Sequence, residues 1–361
     1  MPLSSALIST RAIYPDRSQI PIQITHASGI SVFDTDQREY LDAALGSGSI
    51  ILGHGDEEII GILTEQARRL TIHPGAGFAY ELVDRYAERL IGFAPSGYDR
   101  VCLATSGSDA VEMAIKLALQ YHYHRGETLR TKIIGREASY HGNTLAGLSA
   151  GHFLSRRAPY EATFPPNARG ACALCTKCQF HQSPASCALE CATSLATAIE
   201  QEGPESVAAV ILEPVVGAAL SGAVPDPRYL GRVREICDHY GVLFIVDEVM
   251  TGFGRTGEPF AVGHWDITPD VIICGKAMSA GYYPLSGILI STKLSDVVEA
   301  AGLPLQHGQT HSGNPVGAAV GLAVIDRIEQ GNLLQNAASM GAILRDEIGR
   351  ASCRERVLMP V

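Results

Sequence analysis

A chain of 361 residues, 46% hydrophobic and 18% charged, can bury a large core and divide into two domains. Its formal net charge of -10 argues against a nucleic-acid or anionic-membrane surface. Residues 1–11 lack a basic stretch followed by a long apolar run, no apolar run approaches a membrane span, and nine cysteines are too few for a disulfide scaffold, so the expectation is a cytoplasmic protein with reduced thiols.

Residues 20–25, 30–34 and 39–42 read as short strands joined by turns, a small antiparallel piece. Helices are predicted over 56–70 and 80–91, the second with Leu82, Val83, Tyr86, Ala87, Leu90 and Ile91 on one face. From Arg100 the rhythm becomes strand then helix. Strand 100–104 leads to a helix from Asp109, and strand 132–135 to a helix over 138–148. Strand 207–212, a helix over 229–240, and strands 242–246, 271–274 and 287–291 follow. This alternation predicts an α/β fold with a mixed, mainly parallel sheet covered on both faces. Residues 155–190 break the rhythm with Pro, Cys and Ser and read as an inserted surface loop. The expected division is residues 1–55 and 326–361 in a small α+β domain, with 56–325 as the large domain and a Cys-rich insertion at about 155–192.

Several strand ends carry chemistry. Thr105-Ser106-Gly107-Ser108-Asp109 joins a strand to a helix, where glycine, a Ser cap and free amides favour a phosphate, although a capped turn has the same composition. Tyr140-His141-Gly142 follows the next strand, so Tyr140 either stacks on a flat ring or packs at a core edge. Glu213-Pro214 ends strand 207–212 as a site carboxylate or a solvated terminus. Asp247 and Lys276 each end a strand-like apolar run. A carboxylate that keeps a pyridine nitrogen protonated, beside a lysine that forms an imine with an aldehyde, is what pyridoxal 5'-phosphate (PLP) chemistry requires. The loop Gly308-Gln-Thr310-His-Ser-Gly313-Asn-Pro315 leads into a helix of small residues, and turn chemistry accounts for its glycines equally well. The order is the informative part: phosphate turn, aromatic, Glu, Asp, Lys and a second Ser/Thr loop, all at the strand ends where such sheets bind ligands.

Those segments resemble the class III (omega-type) PLP-dependent aminotransferases of fold type I. The matching runs are Thr105-Ser-Gly-Ser-Asp-Ala-Val-Glu112, Ser139-Tyr-His-Gly142, Glu213-Pro-Val215, Asp247-Glu-Val-Met-Thr-Gly-Phe-Gly-Arg-Thr-Gly257 and residues 308–315. Asp34-Thr-Asp-Gln-Arg-Glu-Tyr-Leu-Asp42 and Leu52-Gly-His54 match as well, so the resemblance covers about residues 20–345. It implies that Lys276 is the Schiff-base lysine and that Asp247 pairs with the pyridine nitrogen. Val249 and Tyr140 would flank the ring, and Ser106, Gly107 and Ser108 would hold the phosphate. His141 and Glu213 would be close neighbours, and Thr310 would reach the cofactor of the partner subunit in a homodimer. Three positions depart from the family pattern: Asp109 replaces the usual Glu or Thr, His311 and Asn314 replace Tyr and His, and Ala277 follows Lys276 where Gly is common.

The implied reaction is transfer of an amino group from an amine or amino acid to a 2-oxo acid. A racemase, mutase or decarboxylating enzyme of the same fold would share these residues, whereas a non-catalytic PLP-binding protein would have no need of Lys276. Leu45-Gly-Ser-Gly-Ser49 carries no bulky aromatic, which hints at a roomy pocket, and the amine donor stays open. Cys172, Cys175, Cys178, His181, Cys187 and Cys191 supply enough ligands for a tetrahedral zinc, although half-buried reduced thiols are the preferred reading. Residues 347–357 are similar to the translation of a short-read sequencing adapter, and the helical pattern of 333–344 stops before them. The expectation is that the natural chain continues into the rest of the small domain.

Overall fold

The computed structural model describes residues 22–75, 77–183, 185–302 and 305–354, the last six by backbone alone. Strands β1 (Ile24–Ser28), β2 (Ser31–Asp34) and β3 (Glu39–Leu41) form an antiparallel sheet, and the one-turn α1 (Leu45–Gly48) follows. Helices α2 (Glu57–Arg69) and α3 (Glu81–Phe93) lead to β4 (Tyr98–Ala104) and the long α4 (Gly107–His124). Next come β5 (Lys132–Ile134), α5 (Leu145–Ala150), α6 (Leu154–Arg157), α7 (Glu190–Glu202) and β6 (Val207–Leu212). The chain continues with α8 (Tyr229–Tyr240), β7 (Leu243–Asp247), β8 (Val271–Cys274), β9 (Ser286–Ser291) and α9 (Thr292–Ala300). The last described elements are α10 (Pro315–Gln330) and α11 (Leu333–Arg354).

The main sheet has the order β4-β9-β8-β7-β6-β5. Strands β5 to β8 are parallel and β9 runs against both its neighbours, so the sheet is mixed and mainly parallel, as expected. Every residue of β6, β7, β8 and β9 is buried, which a sheet covered on both faces demands. Alternate side chains enter opposite cores. Val210, Leu212, Phe244, Val246 and Ile272 meet Tyr86, Leu90 and Phe93 of α3 on one face. On the other, Ala209, Ile211, Leu243, Ile245 and Ile273 meet Val111, Ala114, Leu117 and Ala118 of α4.

Four expectations change. The helix predicted over 138–148 begins only at Leu145, because Ala138 takes a left-handed φ of 52° and Thr144 caps the helix by accepting from the Gly147 amide. Residues 138–144 are therefore a loop, and it carries Tyr140 and His141. The helix expected from Asp109 starts two residues earlier, at Gly107, behind a Ser106 cap. The segment 155–190 is only partly surface: Arg157 is buried and donates to the carbonyls of Leu148, Ser149 and Gly151, while Gly170 bridges to Gly135 and Glu137 at the sheet edge. The helix expected over 333–344 continues to Arg354; residues 355–357 of the adapter-like run lie outside the described residues.

Candidate active site

Parallel strands deliver their C-terminal ends to one edge, and there the chain builds a cavity. Ser106, Gly107, Ser108, Tyr140, His141, Glu213, Asp247, Val249 and Lys276 all line it. Thr310 does not. It lies on an exposed loop, lining a separate hollow with Thr105, Tyr283, Gly308 and Gln309. Sequence reasoning missed Val111, Gly217, Ala218 and Met250 as lining residues, since apolar and small residues carry no chemical signature.

The buried carboxylate of Asp247 closes β7. Its Oδ2 lies 2.9 Å from His141 Nδ1, and its Oδ1 accepts from the Val249 amide at 3.1 Å. An ionised Asp247 can only accept, so the shared proton sits on His141 Nδ1. That proton fixes the carboxylate's orientation and offsets its charge. Glu213 follows β6 and is also buried; its Oε2 accepts from the Tyr140 amide at 3.3 Å, while Arg136 donates to its backbone carbonyl at 2.7 Å. Burial pushes the Glu213 carboxyl up, against the pull of His141 and Arg136.

Lys276 lies just beyond β8, which ends at Cys274, and opens a single 3-10 turn in a left-handed conformation of φ 46°. A strained lysine at a strand exit points into the cavity and not along the sheet. Burial lowers its amine below the ordinary lysine range, with Asp247 and Glu213 opposing and Arg255 assisting. A depressed amine is more often unprotonated, hence nucleophilic, at neutral pH.

The other end of the cavity is built from close backbone approach. A Cβ on Gly107 would sit 2.9 Å from Val249 Cγ1, and one on Gly142 would sit 2.5 Å from Ser108 Oγ. Glycine at both positions leaves the α4 N-terminus open, with its free amides and positive dipole end, as an anion site. Ser108 Oγ accepts from the Asn143 amide at 3.0 Å, tying this turn to the Tyr140 loop. Tyr140 is half-buried, set edge-on to Phe153 with ring centres 5.9 Å apart. A buried carboxylate, an amine, an apolar and an aromatic wall at Val249 and Tyr140, and an open helix N-terminus converge, so these residues fit PLP.

Gly48 packs beside Met250 and Lys276. A Cβ there would meet Met250 Sδ at 2.8 Å and Lys276 Cδ at 3.9 Å, and Arg255 Nη2 donates to its carbonyl. The sequence showed residues 45–49 to lack bulky aromatics; it could not show that Gly48 lies beside Lys276.

Glu248 points away from the cavity and is fully buried. It accepts from Thr251 Oγ1, from the Ala261 amide at 3.0 Å and from the Val262 amide at 2.8 Å, so it anchors the loop after β7. Burial raises its carboxyl to about 7. Between the ordinary carboxylate range and that value the folded chain keeps a proton that the unfolded chain releases. This group's contribution to stability therefore falls as pH rises through the window. Glu248→Gln should melt less steeply with pH from 5 to 7 than the parent and at a lower temperature, because one backbone donor loses its acceptor at a cost of about 1–3 kcal/mol. Melting curves of the two proteins at several pH values check this; parallel slopes would remove Glu248 from the effect.

Among the described residues no three His, Cys, Asp or Glu side chains gather as a metal site. Burial raises the thiols of Cys172 and Cys175, and pushes Cys191 up to about 11, so these groups carry protons at neutral pH.

Residues 13–360 match the aminotransferase class-III family profile. A probable aminotransferase of Mycobacterium tuberculosis is 37% identical over 328 residues, covering 89% of this chain and 69% of that protein. An omega-aminotransferase of Caulobacter vibrioides is 33% identical over 335 residues, covering 90% and 75%. A PLP-bound amine transaminase from an uncultivated Pseudomonas species superposes with a TM-score of 0.91 at 31% identity, covering 97% of this chain and 82% of its own.

Proposed function

The chain belongs to the class III aminotransferases, and on that premise we propose that Lys276 and Asp247 are the pair that performs its chemistry. The enzyme is PLP-dependent and transfers an amino group between an amine or amino acid and a 2-oxo acid. One observation carries the assignment: Lys276 and the His141-held Asp247 leave adjacent parallel strands and line the same cavity. When bound, PLP supplies an electron sink that stabilises negative charge on the substrate carbon.

Each residue then has a task. Asp247, oriented by His141 and the Val249 amide, would accept from the ring nitrogen and keep it protonated. The Lys276 amine would hold the cofactor and, when free, would act as general base and acid at the substrate carbon. Ser106, Gly107 and Ser108 would take the phosphate at the α4 N-terminus, and Val249 and Tyr140 would flank the ring. Glu213 lies within reach of the same site, and its role here is to position Tyr140. Residues 45–49 carry no bulky aromatic, and Gly48 lies against Met250 and Lys276, so a donor series of increasing size would read how much room this side of the pocket leaves.

The same reading makes the enzyme a cytoplasmic homodimer in which Thr310 reaches the partner's cofactor. Thr310's exposure on a hollow apart from Lys276 supports it, as do the free thiols among the described residues. No described helix is long and apolar enough to cross a membrane. Residues 1–55 and 326–361 would form the small domain around the large one.

Borohydride reduction of the holoenzyme should fix the cofactor to the peptide containing Lys276, and incubation with an amine donor followed by pyruvate or 2-oxoglutarate should complete both half-reactions. A label on another lysine would refute the assignment. Cofactor consumption of the donor with no keto product would leave racemisation or decarboxylation in its place.

A further inference from the structure

Asp109 stands three residues into α4, beside the phosphate turn, where a negative charge would repel a phosphate unless other groups engaged it. They do. Its Oδ1 lies 2.8 Å from His307 Nε2 and accepts from Gln309 Nε2 at 2.7 Å, while its Oδ2 accepts from the Thr105 amide at 3.2 Å. The Thr105 hydroxyl lies 3.2 Å from Gln309 Oε1, closing a ring of Thr105, Asp109 and Gln309. Asp109 is 5% exposed, so these contacts are drawn out of solvent where charge-assisted hydrogen bonds are strong. A separate tether, the Gln306 amide donating to Gln120 Oε1 at 2.9 Å, holds the loop's start further along α4.

We propose that Asp109 is a positioning residue that locks the loop bearing Thr310 to the phosphate turn of its own subunit. Two of its donors, His307 and Gln309, flank Gly308 and directly precede Thr310, and the third is the residue before the Ser106 cap. The loop that a subunit offers its neighbour is thereby registered to its own cofactor cradle. This rests on the reading that Thr310 serves the partner's cofactor. A shorter hydroxyl could not span both loops. An amide could accept at one oxygen only and would turn its NH2 toward the remaining donors.

The test is a double-mutant cycle on the holoenzyme, with Asp109→Asn, Thr310→Ala and the double variant. The readouts are the PLP dissociation constant, the dimer mass by light scattering and the melting temperature. Asp109→Asn should weaken PLP about tenfold with the dimer mass unchanged, the loss expected for one charge-assisted hydrogen bond. Added to Thr310→Ala, it should weaken PLP little further, because the residue it positions is gone. Gln309→Ala should reproduce part of the effect in the parent and none in the Asp109→Asn background. If Thr310→Ala weakens PLP but the losses simply multiply, Asp109 acts as a helix cap and the proposal fails while the Thr310 reading stands. If Thr310→Ala leaves PLP affinity unchanged, the Thr310 reading fails and takes the proposal with it.

Discussion

Lys276→Ala is expected to abolish transamination, by at least about 10^4-fold, while leaving a folded protein. Two functions disappear together: covalent attachment of the cofactor and the proton transfer that a positioned amine performs. No other lysine lines the cavity, so nothing nearby can substitute. The fold should tolerate the change, because Lys276 is only half-buried and its backbone is held by the turn it opens. Its left-handed φ of 46° strains lysine and alanine alike, so the backbone adds no loss in melting temperature and the circular dichroism spectrum should not change. The measurement is single-turnover conversion of an amine donor, followed spectrally with added PLP. Turnover within tenfold of the parent would assign the chemistry to a different amine.

Asp247→Asn is expected to lower turnover by about 10^2–10^3-fold while the cofactor still binds. The amide is isosteric, and its oxygen can still accept from His141 Nδ1, 2.9 Å away in the parent, or from the Val249 amide. What it lacks is the negative charge that the proposed role requires to keep the ring nitrogen protonated. Asp247 is 6% exposed, in surroundings where a fixed charge acts with little screening. The loss should fall on the proton-transfer step, with donor binding nearly unaffected, which separates it from a folding defect. Presteady-state rates of both half-reactions decide the matter. A variant whose kcat matches the parent would release Asp247 from this role.

Much of the fold is legible in the chain because buried parallel strands write continuous apolar runs, and 207–212 and 271–274 match β6 and β8 to the residue. Asp247 and Lys276 were legible for the same reason: each is a polar residue that interrupts such a run at its end. Periodicity failed at 138–148, where small residues score as helix. The chain there is held open by the left-handed Ala138 and by the Thr144 cap, which starts the helix at Leu145. That loop, and no local preference, brings His141 to Asp247 across 106 positions of sequence.

By itself, then, the sequence determined the alternation of strands and helices, the polar residues that end the apolar runs and the turn that opens α4, since all of these are written in local composition and spacing. Tertiary structure alone decided which groups meet. It set His141 against Asp247, Gly48 beside Lys276, Glu248 away from the cavity, and Asp109 between the phosphate turn and the Thr310 loop. Such pairings join residues as far apart in the chain as Gly48 and Lys276, and their energies depend on burial and on hydrogen-bond partners that exist only once the sheet has closed.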